Sequence, residues 1–355
     1  MVRVNDGETQ FLNKISSGQR KSLSLIRNFV KDIWNSDQII NEFGHHGIKH
    51  GENIANLAFK LSEANQGRLL SSDEIFLILS AAYLHDIGIL CDIQKYPEIK
   101  EIAEKYYNLK FDPNFLDLIN KPNNIKEKKF LRDNHHLFTA AWIKFAHQTG
   151  RSSLGEVLKS VPTELIGDLI DICRYHSKIP IGICDVYSAD NDDLRKQLIV
   201  AILRLSDALD IDTKREHIDT IEKYENKPEN VISKWIQNRT EVSFISNTIE
   251  IRIGLNASDK ERYGSLIYDI GIAKFQTKNK PIISILVQNN IPIIYGPKTG
   301  VMENQKLENL PDPIVLKLEE YRLQKEKIKL AGEKGPIPAE ILSEELTIWL
   351  RAIIV

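Results

Sequence analysis

Six residues in the first part of the chain could together hold divalent metal: His50, His85, Asp86, His135, His176 and Asp207. Imidazole nitrogens and carboxylate oxygens suit borderline to fairly hard ions, so the mixed set points to Mn, Fe, Co, Ni, Zn or Mg. Placement makes these residues more than a count. Along 48–61 the apolar positions Ile54, Leu57, Ala58 and Leu61 repeat at helical intervals, and His50 lies four residues before Ile54 on the same stripe. His135 extends the face of Phe138, Trp142 and Phe145, His176 follows Leu165, Leu169 and Ile172, and Asp207 follows Val200 and Leu203. His85-Asp86 closes the most apolar stretch of all. A lone inward histidine is more often a satisfied core residue than a ligand, yet a buried imidazole or carboxylate without partners is costly. Six such groups on five consecutive helices favour one shared centre. An aspartate can also bridge two ions through its two oxygens, while the adjacent histidine fixes one of them.

The elements that must position these groups are helices over roughly the first 210 residues. Helical periodicity covers 23–33, 48–61, 73–85 (with Ser71 or Ser72 as N-cap), 130–147, 163–177 and 193–210. Between 91 and 129, Pro97, Pro113 and Pro122 break the chain into short pieces. The stretch 178–192, with Pro180, Gly182 and an Asn/Asp cluster, reads as a loop. Beyond Ile211 the texture changes. Residues 241–245 and 248–253 alternate around Ser246-Asn247 and predict a hairpin. Residues 259–275 and 314–329 read as helical, and 341–355 as a final apolar helix. The run 281–295 is apolar without a deciding period. The expected fold is mainly α, a helical domain over 1–214 followed by a smaller α+β module over 215–355.

Composition narrows the function. The chain has 355 residues, 42% hydrophobic and 27% charged, as globular proteins do. Lys plus Arg number 47 against 49 acidic residues, a net charge of −2, so no global basic excess recommends long nucleic acid as partner. Three scattered cysteines and no CxxC pair argue for a reducing compartment rather than a disulfide framework. No signal-peptide core and no apolar run of membrane length is visible, so a cytoplasmic location is expected. Phosphate-binding GxxxxGK[ST] and GxGxxG loops and the GxSxG nucleophile elbow are missing.

The ordered set His50, His85-Asp86, His135, His176, Asp207 resembles the HD-domain metal-dependent phosphohydrolase superfamily. Ala81-Ala-Tyr-Leu-His-Asp-Ile-Gly is similar to its "LHDIG" signature, and Ile202-Leu-Arg-Leu-Ser-Asp-Ala-Leu-Asp to its closing "LRLADALD" helix. His135-His136-Leu-Phe-Thr-Ala resembles its "HHxxSA" helix. The resemblance covers about residues 40–212 and implies an HD-type helical bundle. It also implies two metals, one held by His50, His85, Asp86 and Asp207, the other by Asp86, His135 and His176. His135 and His136 compete for the ligand position on the 130–147 helix; the spacing to Thr139 favours His135 and leaves His136 to support the ligands or contact the substrate phosphate.

The implied chemistry is hydrolysis of a phosphoester by a metal-activated water. Asp86, His46 and Lys178 are the catalytic candidates, His46 as the group that orients His50 or protonates the leaving group. His136, Lys49, Arg132 and Arg204 are the candidate substrate contacts, with Arg174 a further cation near the centre. The expected substrate is a small nucleotide: a cyclic nucleotide or dinucleotide, or a nucleoside triphosphate. Two other classes share the residue types, a di-iron oxygenase and a nucleotide-binding sensor without turnover. The C-terminal module is left to cap the pocket, dimerise or dock a protein partner.

Overall fold

The start of the fourth helix shows how this sequence fixes its elements. Ser71 caps it by accepting from the Glu74 backbone N–H, while Glu74 accepts in return from the Ser71 N–H. The helix that follows is apolar on every side and buried from Glu74 to Leu84, as a central helix must be. The computed structural model describes residues 6–36, 47–91, 93, 95–112, 114–115, 125–211, 239–296, 298–310 and 312–330. The expected helix at 341–355 lies outside them.

The helical region contains α1 (Asp6–Leu12), α2 (Ser17–Ser36), α3 (Ile48–Glu63), α4 (Ser72–Leu84), α5 (Glu98–Tyr107), α6 (Ile125–Thr149), α7 (Ser152–Leu158), α8 (Thr163–Tyr175) and α9 (Lys196–Leu209). α4 is the hub, packed against α2, α3, α8 and α9. A short 3₁₀ turn, Ile87–Leu90, continues α4 and packs on α6. α6 runs through a break at Asn134 (φ −121°, ψ 15°), whose side chain donates to the Phe130 carbonyl at 2.9 Å.

A buried ion pair ties α4 to α9. Arg195 Nε and Nη2 donate to the two carboxylate oxygens of Glu74, each at 2.8 Å. The remaining donors reach the carbonyls of Arg68 and Leu69 at 3.1 and 3.0 Å. Burial pushes the Glu74 carboxyl up, but the Arg195 hydrogen bonds outweigh it and hold it below its ordinary value. His85 follows Glu74 by 11 residues and Asp207 follows Arg195 by 12. At ~1.5 Å per residue, both helices run roughly 17–18 Å from this common clamp before presenting a ligand. The clamp therefore sets the axial register of the two helices at their far ends. A second buried network, Lys196 with Asp168 (3.1 Å) and Asp171 (2.8 Å), joins α9 to α8. Asp168 in turn accepts from Ser188 at 2.7 Å and pins the 178–192 loop.

Contacts divide the chain into two compact units, Met1–Asp210 with Pro281–Pro292, and Ile211–Lys280 with Ile293–Val355. In the second unit β1 (Thr240–Ile245) and β2 (Thr248–Leu255) pair antiparallel, Ile245 opposite Thr248, around Ser246 at φ 54°. β3 (Ile294–Tyr295) and β4 (Gly300–Glu303) both pair parallel to β2, along successive halves of it. The core side of β2 is Ile249, Ile251, Ile253 and Leu255, all buried. α10 (Ala257–Ile267), capped by Asn256, leads through a π turn into α11 (Ala273–Gln288), whose residues from Pro281 on belong to the first unit, and α12 (Asp312–Leu330) follows the strands. The apolar run 281–295 is thus helix first and strand last, with Pro281 inside α11. The architecture is mainly helical with a small mixed sheet toward the C-terminus, the fold class expected from the sequence. No helix among the described residues is long and apolar enough to cross a membrane.

Candidate metal centre

Helix ends build the centre. His85 and His176 are the C-caps of α4 and α8, where the last carbonyls of a helix lack intrahelical donors. Each histidine turns Nδ1 back on its own helix: His85 toward the carbonyls of Ala81 (3.2 Å) and Ala82 (3.1 Å), His176 toward that of Cys173 (2.6 Å). His135 does the same at the break in α6, with Nδ1 2.6 Å from the Arg132 carbonyl. His50, in the first turn of α3, instead faces the Asp210 carboxylate, Nδ1 to Oδ2 2.6 Å. Each Nδ1 meets an acceptor; with the proton held there, each Nε2 would be left with its lone pair.

Those four Nε2 atoms converge on Asp86, which stands between two sets of ligands. Its Oδ2 is 3.1 Å from His85 Nε2 and 3.6 Å from His50 Nε2. Its Oδ1 is 3.1 Å from His135 Nε2 and 3.6 Å from His176 Nε2. Asp207 joins the first set, Oδ1 lying 3.3 Å from His50 Nε2 and 3.9 Å from His85 Nε2. Within each set two imidazole lone pairs face one another, His50 and His85 at 3.3 Å and His135 and His176 at 3.0 Å. Neutral imidazoles so arranged cannot hydrogen-bond to each other, and a cation is what such acceptors fit. His50, His85 and Asp207 form one group close enough to share an ion, and His85, Asp86 and His176 form another. The chemistry of the donors therefore fits divalent metal. Burial raises the Asp207 carboxyl, but His50 and His85 hold it far below the usual range. Burial pushes His176 down to about 4.

His50, His85, Asp86 and His176 are buried. Asp207, with 34% of its side chain exposed, and His135, with 15%, form the open rim. The HD turn itself is stapled to α6. Thr139 Oγ1 donates to the His85 carbonyl at 2.7 Å and accepts from Gly88 N–H at 2.8 Å.

The remaining sequence candidates scatter. His136 is buried beside His135 and His176, its Nδ1 without a partner among the described residues. Burial, then the charges of His176, His135, Lys178 and Arg204, push it down to about 2, so it stays neutral. Arg204 lies at the centre's edge, Nε donating to the His176 carbonyl at 3.0 Å. Lys178 is exposed and pairs with Asp133 at 3.1 Å. Arg132 is exposed and contributes its carbonyl to His135. Lys49 is exposed and lies 3.6 Å from Glu52. Arg174 stacks on Tyr107 and Tyr175. His46 lies outside the described residues. Sequence reasoning missed Asp210, Asn53 and Thr139. Asp210 stood inside the quoted closing motif, one turn after Asp207, a spacing that could have signalled a second inward carboxylate.

The HD-CE family model matches residues 32–216 and so takes in every one of these ligands. The chain belongs to the HD-CE family. No curated protein and no solved structure matches it. The HD-CE region is an HD domain, and its buried His/Asp groups could hold metal ions. His135 and His176 lie in the same matched range as the HD dipeptide.

Proposed function

We propose that this HD-CE protein is a metal-dependent phosphohydrolase acting on a small nucleotide or nucleotide-like phosphoester. The observation that carries the reading is the division of labour at Asp86, whose two oxygens face different imidazole pairs. His50, His85, Asp86 and Asp207 would hold one divalent ion, and Asp86, His135 and His176 a second. Divalent metal bound there would lower the pKa of a water and neutralise phosphoryl oxygens.

The chain's own residues do the rest. The four Nδ1 partners orient the rings with Nε2 toward Asp86, so the imidazoles are placed before metal arrives. Arg204 and Lys178, at the His176 side, supply positive charge for non-bridging phosphoryl oxygens. His136, buried and neutral, offers an uncommitted ring nitrogen in that corner. Among substrates, the near-balanced charge of the chain favours a compact nucleotide over a long polyanion.

The test is a chromatographic and phosphate-release screen of cyclic nucleotides, cyclic dinucleotides and nucleoside triphosphates with Mn, Co, Ni or Mg. Turnover should appear with at least one metal, and Asp86→Ala and His85→Ala should lose both turnover and bound metal. Lost turnover with metal content unchanged would refute the ligand assignment. Oxygen uptake without phosphoester cleavage would mean an oxygenase. Equal nucleotide binding by wild type and Asp86→Ala, with no turnover in either, would mean a sensor.

A further inference from the structure

The four histidines of the centre are not held alike. Three turn Nδ1 to main-chain carbonyls, those of Ala81 and Ala82, Arg132 and Cys173. His50 turns it to a carboxylate, Asp210 Oδ2, at 2.6 Å. That distance is short even for a charge-assisted bond. Asp210 is 3% exposed, and further bonds hold it. Asn53 Nδ2 donates to its Oδ1 at 3.0 Å, and its backbone N–H donates to the Asp207 carbonyl at 3.1 Å. Asn53 stands three residues after His50 on α3, so one helix presents the imidazole and also fixes its partner.

Charge is distributed just as unevenly. The His50 side has Asp207 of its own, shares Asp86, and is backed by Asp210. Among the described residues, the carboxylate contact of the His135 and His176 side is the other oxygen of Asp86, and the Arg204 guanidinium donates to the carbonyl of His176. A carboxylate behind a ligating imidazole raises its basicity, and an extra anion nearby raises affinity for a cation.

We infer that Asp210 is a positioning residue that makes the His50 side the tighter of two unequal metal positions. This rests on the two-position reading above. The His50 position is the resident one, and the His135 and His176 position is filled only at higher metal concentration.

The test is a titration of the metal-stripped full chain with Mn²⁺, followed by calorimetry and by the EPR signal of free Mn²⁺. Wild type should show two classes of site. Asp210→Ala should weaken the tighter class about 10- to 100-fold and leave the weaker class within about threefold. The double variant Asn53→Asp with Asp210→Asn guards against a folding defect. It keeps the His50–210–53 hydrogen-bond chain but moves the carboxylate away from the imidazole, and it should weaken the same class. His176→Ala should remove the weaker class instead. Equal loss in both classes, no loss in either variant, or loss of the tighter class in His176→Ala would overturn the inference. The readout is independent of turnover. Asymmetric metal binding in an inert protein would remove the hydrolase reading and leave this one, and activity with two equal sites would do the reverse.

Discussion

Gly88→Ala is a one-methyl perturbation aimed at the joint between the HD turn and α6. A Cβ at residue 88 would lie 2.1 Å from the His135 carbonyl oxygen, 2.5 Å from Thr139 N and 2.8 Å from Thr139 Oγ1. Relief to an ordinary contact demands a shift of about 1 Å, and two of these three neighbours are backbone atoms that cannot swing aside. Overpacking of this kind costs about 1–3 kcal/mol. The shift would also stretch the two hydrogen bonds through Thr139 Oγ1, each contributing about 1 kcal/mol. The sum, about 3–5 kcal/mol, corresponds to a drop in Tm of roughly 6–20 °C for a unit of this size. Because the displaced segment carries His135, metal binding on that side should weaken even where the variant remains folded. The assay is thermal unfolding of stripped and Mn-loaded protein, with bound metal counted. Gly167→Ala is the control: it lies within α8, and a Cβ there would meet nothing within 4 Å. It should raise stability by about 0.5–1 kcal/mol. If Gly88→Ala melts within 2 °C of wild type, by order of magnitude, and binds the same metal, the stapled-turn account is wrong.

Three further outcomes follow from the geometry. Arg195→Met leaves Glu74 charged and buried, so it should cost about 3–5 kcal/mol in urea unfolding and, through the shared register of α4 and α9, lower metal affinity as well. Glu74 is held below its ordinary value of 4.5. Its contribution is therefore complete above that pH and is lost as pH falls through the lower folded value. The stability gap between wild type and Glu74→Gln should be widest near neutrality and close below pH 4.5; a gap that stays constant into acid would contradict this. Chelation should lower Tm, since an ion present at 100 times its Kd contributes about 2.7 kcal/mol, or roughly 5–11 °C. An unchanged Tm on adding EDTA to metal-loaded protein would count against a structural role for the ions.

The candidate metal ligands could be picked out because inward positions repeat with the helix. Six polar groups in register with apolar stripes are visible without knowing how the helices meet. What turns each imidazole was not legible. The Nδ1 partners of His85, His135 and His176 are carbonyls three or four residues back, and every helix offers such carbonyls. The partner of His50 lies 160 residues away, a distance only the packed fold can close. The same holds for Glu74 and Arg195, whose pairing spans 121 residues. The break at Asn134 that aims His135 had no sequence mark, because asparagine is tolerated within helices without signalling a bend. The run 281–295 stayed undecided because short isoleucine-rich stretches serve helix and strand equally. The hairpin around Ser246, by contrast, was plain from its alternation, and the structure pairs it in that register.

The path of the chain has a consequence for how the protein is made. The polypeptide leaves the first unit after Asp210 and returns to it for Pro281–Pro292. The returning segment lays the Asn290 carbonyl against the Gln66 N–H at 2.8 Å. All six candidate metal ligands are synthesised before that segment, which follows them by roughly 80 residues. At about 5–20 residues per second the delay is roughly 4–16 s. For that interval the nascent first unit exists without its last piece, so any metal captured during synthesis would enter a structure still lacking that segment.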